Sequence, residues 1–246
     1  ILVTGSSSGI GFSTAKHFAE NGGILVVHGP EESQELQNAF IEIAELSPRS
    51  RKMACDLSDS EAVYKMFAKI TKELGRIDIL VNNAAAQSGY KFLELPEKEW
   101  DYVMAVNLKA PFLCSQLAAK MMVKQGGGKI INVGSVHEYQ TKRHFTHYST
   151  SKGGLLMLTK NMALELAEYN IQVNQVAPGA VATRLTDASR QQQFLSAVPA
   201  GRVGTPDEIS SLILFLASKE ADYITGQSFT IDGGLTLGFC ASRPDL

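Results

Sequence analysis

The sequence predicts an α/β fold, a doubly wound parallel sheet with helices on both faces. Short apolar runs such as Ile77-Asp78-Ile79-Leu80-Val81 and Ile171-Gln172-Val173-Asn174-Gln175-Val176 are strand-sized and alternate with helix-sized segments. A glycine-rich turn, Thr4-Gly5-Ser6-Ser7-Ser8-Gly9-Ile10-Gly11, joins an apolar start to a helix-like run. The 246 residues, 44% hydrophobic, suffice for a large core, and no Pro/Gly/Ser-rich linker divides them, so residues 1–246 are expected to form a single domain.

Taken in order, Ile1 to Val3 reads as the end of a buried strand, and Ile10 to Asn21 as the first helix. Glycines let a backbone approach a pyrophosphate, and the helix behind them presents free N–H groups and a positive dipole end. Gly5, Gly9 and Gly11 are therefore dinucleotide-binding candidates on a Rossmann-like frame, although their spacing differs from Gly-x-Gly-x-x-Gly. The second strand, Ile24 to His28, ends where a ribose would lie, followed by Gly29-Pro30-Glu31-Glu32. Two glutamates repel a 2′-phosphate, and no Arg or Lys follows the strand, which favours NAD over NADP. His28 has two readings, a phosphate contact when protonated or a strand-end histidine satisfied by a neighbour.

Further along, Gly126-Gly127-Gly128 breaks a long helical pattern before the strand-like Lys129 to Val133, and Ser135 closes that strand. A hydroxyl there faces the crevice in which open α/β sheets bind ligands. Helical stretches from Trp100 to Val123 and from Ser149 to Ala167 carry more apolar residues than one core-facing stripe needs, marking them as candidate subunit-packing helices.

Tyr148 and Lys152 are four apart, which places both on one helical face. A phenol titrates near 10, and an ammonium about 5 Å away at an effective dielectric of about 20 contributes roughly 3 kcal/mol, or about two pKa units. Charge alone is thus expected to bring Tyr148 towards acid/base duty, with Ser135 polarising a carbonyl oxygen. A serine nucleophile is disfavoured, because no Gly-x-Ser-x-Gly elbow surrounds Ser135.

The net charge of −2 and scattered basic residues give no support for nucleic-acid or polybasic membrane binding, so the expected partner is a small molecule. Cys55, Cys114 and Cys240 lack metal-like spacing, no metal is expected, and reduced thiols suit a cytoplasmic protein. No run approaches the roughly 20 apolar residues of a membrane span, and no signal-peptide pattern is present.

With Asn82-Asn83-Ala84, Asp56-Leu57, Asn107, Pro178-Gly179, Thr183 and Asp232-Gly233-Gly234 added, the chain resembles the short-chain dehydrogenase/reductase family from Ile1 to Gly234. The resemblance implies hydride transfer between an alcohol or carbonyl and NAD or NADP. It implies Asn107, Ser135, Tyr148 and Lys152 as a catalytic tetrad, with Lys152 and Tyr148 also touching the cofactor. It further implies Gly5, Ser7, Ser8, Gly9, Ile10 and Gly11 at the pyrophosphate, Asp56 and Leu57 flanking the adenine, Asn83 and Ala84 by the adenosine, and Pro178, Gly179, Val181 and Thr183 at the nicotinamide end. A homotetramer is implied as well. If Asn107 is helical, Pro111 has no N–H for its carbonyl, leaving an acceptor through which a water could connect to Lys152. Ala85 stands where the family commonly has glycine, and the lid between Thr183 and Pro199 looks a few residues short.

Ser135-Val136-His137-Glu138 and Phe145-x-His147-Tyr148 are similar to glucose 1-dehydrogenase-type members, which implies oxidation of a sugar hydroxyl at C1, with His137, Glu138 and His144 around the substrate. The stretch from Gly201 to Glu208 and the Asp232-Gly233-Gly234 ending equally resemble 3-oxoacyl carrier-protein reductases, for which Lys120, Lys124, Lys129, Lys142 and Arg143 are candidates for a docking patch. A third reading is a dinucleotide-sensing protein without turnover.

Overall fold

The computed structural model describes residues 1–183 and 197–238. Seven parallel strands form one sheet: β1 (Leu2–Val3), β2 (Val26–Gly29), β3 (Arg51–Ala54), β4 (Ile79–Asn82), β5 (Gly128–Val133), β6 (Ile171–Pro178) and β7 (Ser228–Ile231), in the order β3-β2-β1-β4-β5-β6-β7. The strand order reverses between β1 and β4, so the carboxyl ends of these strands open a crevice at the switch point.

Alternation along the strands builds two cores. Leu2, Val26, Leu80, Ile130 and Val173 pair in one row and face α3 (Ser60–Leu74), α5 (Ala110–Gln125) and α6 (Thr146–Leu166), packing on Val63, Phe67, Leu113, Met122 and Ala163. Val3, Val27, Val81 and Ile131 face the other way, onto α1 (Gly9–Glu20), α2 (Gln34–Leu46) and a C-terminal helix, α7 (Pro206–Ala217), through Phe18, Leu36, Ile43 and Ile213. Because both faces are covered, the strands read as apolar runs rather than strict alternations.

The helix ends follow local chemistry. Ser33 and Asp59 cap α2 and α3 by accepting from Leu36 and Glu61 N–H, and Thr205 with Glu208 closes a capping box on α7. The segment before β5 is one long helical rod: α4 (Glu97–Met104) runs through a π turn at Ala105–Lys109 into α5, with Ala110 N–H bonded to the Ala105 carbonyl. Asn107 sits inside that π turn, the kind of local widening that re-aims a helix near a site.

Candidate active site

The glycine turn is shaped by contact with its neighbours. Gly5 has φ +63° and its Cα faces Ala84, so a Cβ there would lie 2.9 Å from the Ala84 Cα. A Cβ at Gly11 would strike the Gly5 carbonyl and Asn83 Nδ2, which is why α1 can press against the turn. Asn83 Nδ2 donates to the carbonyls of Thr4 and Gly5 at 2.9 and 3.0 Å, and the Asn83 and Ala84 amides donate to Thr4 Oγ1. The segment after β4 therefore braces the turn. Ser8, at the N-cap of α1, makes no side-chain capping bond, and the turn lines an open cavity at the helix N-terminus.

That cavity, about 530 Å³, runs from Asp56, Leu57 and Glu35 at one end, past Gly5, Ser7, Ser8, Gly9, Ile10, Asn83 and Ala84, to Ser135, Tyr148, Lys152, Pro178, Gly179, Val181 and Thr183 at the other. A long groove of this kind, with a glycine turn and helix N-terminus midway, fits a dinucleotide.

At the second end Lys152 is 2% exposed, its Nζ donates to the Val133 carbonyl at 2.8 Å, and it lies 5.6 Å from the centre of the Tyr148 ring. Burial lowers the Lys152 pKa to about 8, against a raising effect from the Glu138 charge. Burial also raises Tyr148 above the ordinary phenol value, opposed by its hydrogen bond with Ser135. The expectation that charge alone brings the phenol down left burial out, and burial works against it.

Asn107 does not line the cavity. Its Oδ1 accepts from Ala86 N–H at 2.7 Å, and its Nδ2 donates to the Ala86 carbonyl and to Ser151 Oγ. The side chain thus ties the segment after β4 to α6. Ser135 caps the short 3-10 turn Val136–Glu138, accepting from His137 N–H at 3.2 Å.

Of the three substrate candidates, only His137 reaches the cavity. It packs edge-on to Tyr148 with centroids 6.0 Å apart and stacks with Phe145. A carbonyl only accepts, so the 2.8 Å contact from Nδ1 to the Gln140 carbonyl places the proton of a neutral ring on Nδ1, leaving Nε2 an acceptor. Burial keeps the His137 pKa low, so the ring is held in its neutral form. Glu138 turns away from the cavity, its carboxylate bonded to Gln175 and Ser228. His144, exposed at φ +71°, lines a neighbouring surface groove instead. Both placements correct the expectation of three histidine and glutamate groups around one substrate.

Gln87, Tyr102 and Leu235 also line the cavity, Leu235 just after the Asp232-Gly233-Gly234 ending, and none of the three belongs to a motif that marks it for the site. Phe145 and Lys142 join the wall beside His137, Lys142 Nζ lying 4.8 Å from the centre of the Phe145 ring. The lid expected from Thr183 to Pro199 lies largely outside the described residues, as does Cys240.

His28 is settled by its bonds. It is 1% exposed, its Nδ1 accepts from Gly5 N–H at 3.0 Å, and its Nε2 meets the Cys55 carbonyl at 3.0 Å. An imidazole with one acceptor and one donor nitrogen is neutral, and burial pushes its pKa down to about 4. His28 is a brace for the turn.

A family model described as Enoyl-(Acyl carrier protein) reductase matches residues 5–236. The 3-oxoacyl-[acyl-carrier-protein] reductase FabG of Thermotoga maritima is 38% identical over 96% of this chain and 97% of its own. The chain belongs to the short-chain dehydrogenase/reductase family. Within it, the 2-dehydro-3-deoxy-D-gluconate 5-dehydrogenase of Escherichia coli is also 38% identical, over 95% of this chain and 93% of its own. The solved structure of acetoin dehydrogenase YohF from Salmonella typhimurium superposes with a TM-score of 0.89 at 38% identity, covering 100% of this chain and 97% of that one. As a short-chain dehydrogenase/reductase, this protein is an NAD(P)-dependent oxidoreductase that interconverts an alcohol and a carbonyl on a small molecule. Among the described residues, no helix is long and apolar enough to cross a membrane, and no group of His, Cys, Asp and Glu side chains is placed to hold a metal.

Proposed function

We propose that Tyr148 is the proton donor and acceptor of this reaction, that Ser135 holds the substrate oxygen, and that Lys152 and Asn107 support proton movement. The supporting observation is that Ser135, Tyr148 and Lys152 line the same cavity as the Gly5 to Ile10 turn. A bound nicotinamide would supply or take the hydride. Around it the chain's own groups act: the turn and α1 N-terminus hold the pyrophosphate, Asp56 and Leu57 flank the adenine, and Pro178, Gly179, Val181 and Thr183 hold the nicotinamide end. Tyr148 moves a proton at its phenol oxygen, Lys152 steadies the phenolate, and the π turn at Asn107, with no N–H at Pro111, leaves a carbonyl for a water leading towards Lys152.

NAD is the proposed cofactor. Glu35 and Asp56 line the adenosine end, and the neutral His28 offers no cation to a 2′-phosphate. Lys52, on β3, is engaged by Glu32 at 2.6 Å and by Gln37.

The proposed substrate is a small hydroxylated molecule, an aldose at C1 or a related hydroxyketone or sugar acid. Its support is the His137 acceptor nitrogen beside Tyr148, because a half-buried acceptor on the cavity wall favours substrates carrying a matching hydroxyl. The gluconate and acetoin relatives act on compounds of that kind. Similarity to 3-oxoacyl carrier-protein reductases keeps a second reading, but Lys129 is withdrawn from the docking patch, since its Nζ is paired with Asp222 at 2.6 Å. Exposed Phe112, Val123, Met157 and Leu164 on α5 and α6 support the proposed homotetramer. The test is a panel of glucose, acetoin, 5-ketogluconate and a 3-oxoacyl thioester with each cofactor, read by nicotinamide absorbance. Turnover of a hydroxylated compound with NAD supports the reading. Turnover confined to the thioester transfers it to the reductase class, and absence of all turnover with intact cofactor binding favours a sensor.

A further inference from the structure

A single row of polar side chains crosses four strands beneath α5 and α6. Asn82, Asn132, Gln175 and Ser228 are register partners on β4, β5, β6 and β7, two residues beyond the apolar row of Leu80, Ile130 and Val173 and on the same face. Asn82, Asn132 and Gln175 are buried, and Thr159 of α6 joins them. Hydrogen bonds link the row. Asn82 Nδ2 donates to Asn132 Oδ1 at 2.8 Å, Asn132 Nδ2 to Thr159 Oγ1 at 2.8 Å, and Gln175 Nε2 to Glu138 Oε2 at 2.5 Å, while the single Thr159 hydroxyl proton is shared between the Leu155 carbonyl at 2.8 Å and Gln175 Oε1 at 3.0 Å. Ser228 completes the clamp by donating to Glu138 Oε1 at 2.6 Å.

A carboxylate that accepts hydrogen bonds from two fixed donors, as Glu138 does from Gln175 and Ser228, is favoured in its ionised form. Space for this clamp is reserved at Gly134, where a Cβ would lie 2.6 Å from both Gln175 Nε2 and Glu138 Oε2. Glu138 in turn is tied to the reacting centre, since its N–H donates to the Ser135 carbonyl at 2.9 Å. Burial holds the Glu138 pKa above the ordinary carboxylate value, opposed by hydrogen bonds from Ser228, Gln175 and Ser135 and then by the Lys152 charge.

We propose that Glu138 is a positioning residue for hydride transfer: clamped by Gln175 and Ser228 against Gly134, its carboxylate anchors the turn that carries Ser135 and stands as the counter-charge to the Lys152 ammonium, which is held on the adjoining Val133 carbonyl. The inference rests on the reading of Ser135, Tyr148 and Lys152 as the reacting centre. Around Lys152, α6 contributes Tyr148, β5 the Val133 carbonyl, and the 3-10 turn His137 and Glu138. Gln175, Ser228, Asn107 and Ser151 on the other packed elements are neutral, and the His137 ring is neutral too, so Glu138 is the charge that Lys152 meets. Glu138 does not line the cavity, and it acts through Lys152 and Ser135 rather than by touching substrate.

The test is the pH profile of kcat/KM for alcohol oxidation, using wild type, Glu138→Gln, Glu138→Asp and Tyr148→Phe. Lys152 Nζ and Glu138 Oε2 sit against adjacent residues, Val133 and Gly134, and removing a unit charge at that spacing, with an effective dielectric of about 20, shifts a pKa by about one to two units. Glu138→Gln is therefore expected to move the alkaline limb down by about one to two pH units, as Lys152 loses its proton earlier, with KM for NAD little changed. Glu138→Asp, which keeps the charge, is expected to restore the alkaline limb while kcat stays reduced. If the glutamine variant does not fold, Glu138→Ser gives a second uncharged site. A neutral variant whose alkaline limb superimposes on wild type overturns the proposal. Tyr148→Phe separates the two levels: full activity in that variant removes the underlying assignment, whereas an inactive Tyr148→Phe beside an unshifted Glu138→Gln removes only the role of Glu138.

Discussion

Lys152 Nζ lies 5.6 Å from the centre of the Tyr148 ring while donating to the Val133 carbonyl at 2.8 Å. The ammonium is thus held by the sheet and presented to the face of the phenol, one turn away on α6. Lys152→Met keeps the length of the side chain and removes the donor and the charge. It is expected to lower kcat/KM by about a hundred- to ten-thousand-fold, measured by steady-state kinetics.

His28 makes stability fall in acid. Its folded pKa of about 4 lies below the ordinary 6.5, so the unfolded chain binds the proton more readily. The stabilising effect is complete above about pH 6.5 and is lost as pH falls to about 4, amounting to about 3 kcal/mol. Urea unfolding of His28→Gln is expected to depend less on pH across that window than unfolding of wild type.

Gly11→Ala places a methyl against the Gly5 carbonyl and Asn83 Nδ2. Because α1 must then move off the turn, the expected outcome is a stability loss of about 1 to 3 kcal/mol together with weaker NAD binding. Denaturant melts and fluorescence titration measure the two effects separately.

At the end of the cavity proposed for the adenosine, Glu35 and Asp56 line the wall. Added repulsion of about 1 to 2 kcal/mol against a 2′-phosphate gives an expected preference for NAD over NADP of about tenfold in kcat/KM. Equal efficiency with both cofactors would contradict the assignment.

Asn107→Ala removes three hydrogen bonds, two part-buried ones to Ala86 and a buried one to Ser151. The Ala86 amide is left unsatisfied, so a loss of about 2 to 4 kcal/mol in unfolding free energy is expected along with slower turnover.

Much of the sheet, and the meeting of Ser135, Tyr148 and Lys152 in one cavity, was legible because both depend on local spacing. Tyr148 and Lys152 needed only a helical period, Ser135 only a strand end, and the glycine turn only its flanking strand and helix. Glu138 was read as a wall of the substrate site because its neighbours in sequence are. Its actual partners, Gln175 and Ser228, are 37 and 90 residues away and meet it only when β6 and β7 join the sheet. For the same reason, nothing in local spacing joins Asn82, Asn132 and Gln175, which only register aligns in one row. The effect of burial on Tyr148 and Lys152 was likewise invisible to an estimate that used their mutual distance alone. Lys129 looked like a surface charge, and its ion pair with Asp222 spans 93 residues.

The central claim is that Tyr148 carries the proton while the rest of the cavity holds the cofactor. The most direct measurement compares turnover and NAD dissociation constant in wild type and Tyr148→Phe. The account predicts a fall in kcat of about a hundred- to ten-thousand-fold with the dissociation constant changed by less than about threefold. Retained turnover in Tyr148→Phe, with the same cofactor and substrate, would contradict it.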